Sequence, residues 1–189
     1  MRCEGDRRLR QGELAVDNPV CQDLLDAARR SLEQNMSQIR RCATLLTDEQ
    51  AWRRVNSHCN SVANLVLHLT GNIRQWIVAG LGGTAFDRDR PAEFAARDGR
   101  PIAALAGSLE HTVREAIEVL RTLTPGDLAS ARTIQGYEVS ATFAVFHAAE
   151  HFSFHTGQII HITKALLDVD LSLYDANGRR LEDHGNKPW

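Results

Sequence analysis

Phe146-His147-Ala148-Ala149-Glu150-His151-Phe152-Ser153-Phe154-His155-Thr156-Gly157-Gln158-Ile159-Ile160 is the stretch whose reading decides the fold of this chain. It lies within a proline-free segment from about Ala141 to Leu167, where apolar residues recur at three- and four-residue steps. That pattern predicts one long helix. On a helix, His147, His151 and His155 follow at i, i+4 and i+8 and form a ridge on one face. Neighbours on the ridge lie about 6 Å apart along the axis, close enough for two imidazoles to converge on one ion. His147 and His155 lie about 12 Å apart, too far to share a metal. Spacing therefore leaves two pairs open, His147/His151 or His151/His155. A divalent site with an open position for water or substrate commonly takes three protein ligands, so a third must come from a facing helix.

The rest of the composition narrows the function classes. With 189 residues the chain fits one domain with a real core, and 43% hydrophobic with 24% charged residues is ordinary for a soluble globular protein. A formal net charge of -2 gives no electrostatic reason to expect nucleic acid. No apolar run approaches the roughly 18 residues of a membrane span. The amino end, Met1-Arg2-Cys3-Glu4-Gly5-Asp6-Arg7-Arg8, mixes arginines with acids and has no apolar stretch behind it, which argues against a signal peptide. Residues 1–17 read as a disordered extension. Cys3, Cys21, Cys42 and Cys59 show no C-x-x-C spacing and read as reduced thiols of a cytoplasmic protein. His58 and Cys59 are adjacent, so their side chains point apart, and the pair is taken as coincidence.

Outward from the ridge, three further amphipathic segments emerge. Asp17-Asn18-Pro19 signals a helix start, and Val20, Leu24, Leu25, Ala28, Leu32, Met36, Ile39 and Leu45 keep helical spacing up to about Leu46. A second helix opens near Asn60-Ser61 and runs to about Ala79, with Val62, Leu65, Val66, Leu69, Ile73 and Ile77 as its apolar stripe. Beside that stripe runs another at four-residue steps, Asn64, His68, Asn72 and Trp76, a composition unlike a solvent face. Gly82-Gly83 fits its termination. The charged run Phe86-Asp87-Arg88-Asp89-Arg90-Pro91-Ala92-Glu93-Phe94 reads as an exposed connector in preference to a pocket wall. A third helix covers about Pro101 to Leu123, and Thr124-Pro125-Gly126-Asp127 stops it. Residues 131–140, around Gly136, suggest a short hairpin before the fourth helix. Four long amphipathic segments predict an all-α four-helix bundle over 18–167, followed by a polar tail at 168–189.

Three parts of the chain carry a resemblance: residues 60–72 with His68, the stretch Arg88-Asp89-Arg90 to Glu93-Phe94, and Glu150-His151-Phe152-Ser153-Phe154-His155-Thr156-Gly157-Gln158-Ile159. Together they resemble the DinB-like superfamily, and within it a branch of unknown function. The resemblance covers about 18–167. It implies a four-helix bundle, commonly dimeric, in which three histidines surround a divalent ion such as zinc or nickel. By position these are His68, His151 and His155, which leaves His147 one turn away, either behind the site or in the bundle interior. Asn64, Asn72 and Gln158 become candidates for groups that line the pocket or support the ligands.

Relatives within the superfamily include thiol-dependent S-transferases and a mycothiol-dependent isomerase. The resemblance therefore implies a metal-dependent transferase that activates a low-molecular-weight thiol against a small electrophile. A metal-dependent hydrolase would use the same ligands, but Glu150 projects about 100° from His151 on the helix and makes a weak general base. A non-enzymatic metal-binding stress or interaction protein, working as a homodimer, is the third class. The two enzymes need an open coordination position in a cleft, whereas a purely structural site closes on a fourth protein ligand.

Overall fold

The computed structural model describes residues 18–181; the proposed extension at 1–17 and the last part of the tail, 182–189, lie outside the described residues. Four long helices form the body. The first, α1 (Pro19–Leu45), starts as its sequence predicts: the Asn18 side chain accepts from the Val20 amide at 3.1 Å, and Pro19 occupies the first turn. Its inward face is Leu25, Ala28, Leu32, Met36, Ile39, Cys42 and Ala43. A short α2 (Asp48–Trp52) follows, closed by a capping box between Thr47 and Gln50.

The second long helix is α3 (Val62–Ile73), which continues into a π-helical turn, Arg74–Ala79. Ser61 and Asn64 form its capping box, and ten of its twelve residues are buried, among them Asn64, His68 and Asn72. The π turn is closed by backbone bonds across five residues, from the amides of Gly80 to Gln75 and of Gly82 to Ile77, both at 3.0 Å. Such single π turns are rare and gather at functional sites, because they re-aim the side chains on the widened turn. Here those side chains are Gln75 and Trp76.

Two elements then pack on the bundle. The charged run expected to be an exposed connector instead contains a short helix, α4 (Arg90–Ala95), which packs against α3. It is followed by α5 (Ile102–Thr122), a short α6 (Pro125–Ala129) and a hairpin of β1 (Ala131–Ile134) with β2 (Tyr137–Ser140). The hairpin register pairs Ala131 with Ser140 and Ile134 with Tyr137. Its two-residue turn, Gln135-Gly136, has φ of 55° and 81°. Positive φ at both positions is the turn that matches strand twist, and the glycine removes most of the steric cost. Ser140 both ends β2 and caps α7 (Ala141–Leu167), accepting from the Phe143 amide at 3.1 Å.

The core runs between α1, α3, α5 and α7, with α7 packed on α1 and α3 on α5. Small residues on α7, Ala144 and Ala148, let it approach closely, while Phe152 and Ile159 fill the interior. The tail begins with Asp168 in the left-handed conformation at the helix end, then lays Leu171 fully into the core. Val169 and Leu173 pack against the same core. Among the described residues no helix is long and apolar enough to cross a membrane.

Candidate metal centre

Helix α3 points His68 at α7, and α7 points His151 and His155 back at it. One ligand atom from each of the three rings lies within 4.8 Å of the others. The ring centroids are 5.1 Å apart for His68 and His151, 5.0 Å for His68 and His155, and 4.5 Å for His151 and His155. Of the two pairs that spacing left open, it is His151/His155 that converges with the histidine of the facing helix. Among the described residues no fourth His, Cys, Asp or Glu joins the group.

Two hydrogen bonds set the tautomers. His68 Nδ1 lies 3.0 Å from Glu93 Oε2, and an ionised carboxylate only accepts, so Nδ1 donates and the Nε2 lone pair is left free. Arg88 Nη2 is also 3.1 Å from that nitrogen. Its two N–H groups are taken, however, by Glu93 Oε2 at 2.8 Å and the His68 carbonyl at 3.2 Å. His155 Nδ1 donates to Gln158 Oε1 at 2.6 Å, which again frees Nε2. His68 Nε2 and His151 Nε2 face each other at 2.8 Å. With one proton between them that contact is a hydrogen bond; with a cation there, both nitrogens donate lone pairs. The donor set therefore fits a divalent ion that accepts imidazole, with the far ring nitrogens of two ligands fixed by hydrogen-bond acceptors.

The support beneath His68 is the part that the sequence reading missed. Arg88 Nε donates to Glu93 Oε1 at 2.7 Å and Nη1 to Gln75 Oε1 at 2.9 Å. Its side chain is 3% exposed and that of Glu93 11%, so the ion pair is buried under α3. Gly71 makes the room: a Cβ there would sit 2.0 Å from Glu93 Oε1 and 2.7 Å from Arg88 Nε. Burial raises the Glu93 carboxyl, but hydrogen bonds from His68 and Arg88 and the guanidinium charge outweigh it and hold the group below its usual range. Asn64 does not reach the imidazoles. Its Nδ2 donates to the Glu93 and Ala96 carbonyls at 2.9 and 3.0 Å, while Arg54 donates to its Oδ1 at 2.9 Å. It clamps α4 in place and so positions Glu93.

A cleft of about 480 Å³ opens beside the trio and is bordered by His68 and His151. Trp76, Phe143 and His147 form an aromatic wall, with the Trp76 and His147 centroids 4.1 Å apart and the His147 ring stacked on His151 at 5.4 Å. His147 thus belongs to the cleft. The hairpin supplies Gln135, Tyr137, Glu138 and Val139, and Trp76 Nε1 donates to Gln135 Oε1 at 3.2 Å, which ties the hairpin turn to the π turn. Asn72, 3% exposed, also lines the cleft, and its amide oxygen has no hydrogen-bond partner among the described residues. An amide oxygen buried in that way costs about 1–3 kcal/mol. Glu150 lies elsewhere, in a groove with Leu24, Ala28 and Phe146.

His147, His151 and His155 resist protonation. Burial, reinforced by the neighbouring His155 and His68, pushes His151 down to about 3. Burial also lowers His155, against a hydrogen bond to Gln158 that raises it, and lowers His147. A histidine whose folded value is depressed takes up its proton more readily when unfolded, so stability falls as the pH drops below about 6.5, and the loss levels off only near 3. Metal-free protein is therefore expected to unfold at lower urea concentration at about pH 5 than at about pH 7. Glu93 adds little in that window, since a depressed carboxyl acts below its ordinary range. Equal midpoints at the two pH values would contradict the neutral, buried state of these rings.

Comparisons with known proteins agree with this architecture. The model of a family described as a protein of unknown function, DUF1572, matches residues 19–175. No curated protein matches the sequence significantly. The fold is similar to a DinB-like protein from Bacillus cereus ATCC 10987, at a TM-score of 0.59 and 16% identity, over 74% of this chain and 91% of that one. It is also similar to a conserved protein from Enterococcus faecalis, at a TM-score of 0.56 and 16% identity, over 80% of this chain and 97% of the other. The chain belongs to the DUF1572 family of unknown function.

Proposed function

We propose that His68, His151 and His155 hold a divalent ion, zinc or nickel, and that the protein is a metal-dependent transferase that joins a low-molecular-weight thiol to a small electrophile. The observation that carries this reading is the convergence of three imidazoles from two helices beside an open cleft, with no fourth ligating side chain among the described residues. A site built only for structure closes on four protein ligands. When bound, the ion supplies positive charge uncompensated by three neutral ligands, which favours the thiolate over the thiol.

The chain's own residues do the rest. Glu93 and Gln158 keep two ligand rings in the donor tautomer, and the Trp76–Phe143–His147 wall seats the apolar part of the electrophile and excludes water. The sulfur forms a bond to the electrophilic carbon, the leaving group departs with its electron pair, and the thiol proton passes to solvent. A hydrolase would use the same ligands, but among the described residues Glu93 is held by Arg88 and His68 and Glu150 faces another groove, so neither is placed as a base, which favours the thiol reading.

Zinc- or nickel-loaded protein should consume glutathione, cysteine or mycothiol in the presence of 1-chloro-2,4-dinitrobenzene about tenfold faster, or more, than the His68→Ala variant. No excess over that variant with any of the three thiols would rule the transferase reading out.

A further inference from the structure

Asn72 stands out among the residues of the cleft. It sits one turn beyond His68 on the same side of α3, and one turn before Trp76. Its side chain is buried, it borders the same cleft as His68 and His151, and its amide oxygen is without a hydrogen-bond partner among the described residues. Asn64, the other asparagine of the stripe, is engaged on both its oxygen and its nitrogen. The contrast marks Asn72 as a polar group whose partner comes from outside the chain.

The chemistry of that partner follows from the surroundings. An asparagine amide carries no charge and offers one acceptor and two donors, which match an amide, carbonyl or hydroxyl group. The ion pair beneath, Arg88 with Glu93, is internally neutralised, and the cleft lining carries both Arg90 and Glu138, so it presents little excess charge of either sign. Trp76, His147 and Phe143 favour a flat apolar body. A volume of about 480 Å³ suits a small molecule. We propose that Asn72 is a specificity-determining residue that hydrogen-bonds a neutral polar group on a planar substrate lodged against Trp76 and His147. This deepens the transferase reading by naming the substrate class, a small flat molecule with an amide, carbonyl or hydroxyl beside its apolar part.

The test uses two probes of one shape, benzamide and its apolar counterpart α-methylstyrene, titrated into zinc-loaded and metal-free protein and followed by chemical shifts of the Trp76 indole N–H. A site built to hydrogen-bond a polar group rejects an analogue lacking it, whereas an apolar pocket does not. Wild-type protein should bind benzamide at least about tenfold more tightly than α-methylstyrene, and Asn72→Leu should reverse the order while keeping the zinc stoichiometry and the helical circular-dichroism spectrum. Asn72→Gln, which keeps the amide, should retain part of the preference. Absence of benzamide binding to the wild type, or an unchanged preference in Asn72→Leu, overturns the proposal. Because the probes are read without any thiol and with or without zinc, failure of the transferase reading appears separately, as the absence of conjugation.

Discussion

The His155→Ala variant is expected to lose zinc or nickel binding by about 100- to 1000-fold relative to the wild type, and His68→Ala by at least as much. A structural zinc site contributes roughly 10–16 kcal/mol over its ligands, so one ligand in such a set accounts for roughly 2.5–4 kcal/mol. His155 is the cleaner test because it is only partly buried and its ring contacts Gln158 at the edge of the site. Removing His68 also takes one hydrogen-bond partner from the buried Glu93, which mixes a folding effect into the measurement. His147→Ala provides the contrast: its ring stacks on Trp76 and His151 without entering the trio, and it should keep near-native affinity. Competition against a chromophoric chelator measures all three. Wild-type affinity in His155→Ala would remove that residue from the ligand set.

Replacing Glu93 by alanine carries the second large effect, and it acts on two properties at once. The Arg88 guanidinium, buried under α3, would lose both oxygens of its partner. Breaking a buried pair from one side costs about 3–5 kcal/mol, because the remaining charge stays in a low-dielectric site. For a chain of this size that lowers the unfolding temperature by roughly 6–20 °C. His68 would also lose the acceptor that fixes its tautomer, which weakens metal binding by about 10- to 100-fold. A double variant, Arg88→Met with Glu93→Leu, separates the two: it should recover most of the thermal stability of the metal-free protein but not the metal affinity. Recovery of both would mean that the carboxylate serves the fold alone.

The bundle was legible because its signals are local and periodic. Four long apolar stripes, the Asn18-Pro19 start, the Ser61 cap and the hairpin turn at Gly136 each specify backbone within a few residues, and all appear where their chemistry places them. The stripe Asn64–His68–Asn72–Trp76 was equally visible as a buried polar edge, although the separate tasks of its members depend on what faces each one. Helical spacing alone could not choose between His147 and His155, since that choice rests on which turn of α7 lies opposite His68.

The pair Arg88–Glu93 stayed hidden for a different reason. Asp87, Arg88, Asp89 and Arg90 alternate in sign, and such a run is usually solvated. Its burial comes from a contact across 25 residues, between Glu93 and His68, that no short-range pattern encodes. One available signal was Gly71, three residues after His68 in the middle of a helix. A glycine there weakens the helix, and its close approach to Glu93 and Arg88 gives the reason. The start of the tail was illegible because its apolar run is short: Val169, Leu171 and Leu173 pack on the core with no longer helical or strand-like run to announce it.

X-ray absorption at the metal edge, on protein carrying one zinc or nickel per chain, asks most directly whether two helices share one cation. Three imidazole nitrogens at about 2.0–2.1 Å, falling to two in His155→Ala, is the spectrum expected. A sulfur shell at about 2.3 Å, or an imidazole count unchanged by that substitution, would contradict a centre built from His68, His151 and His155.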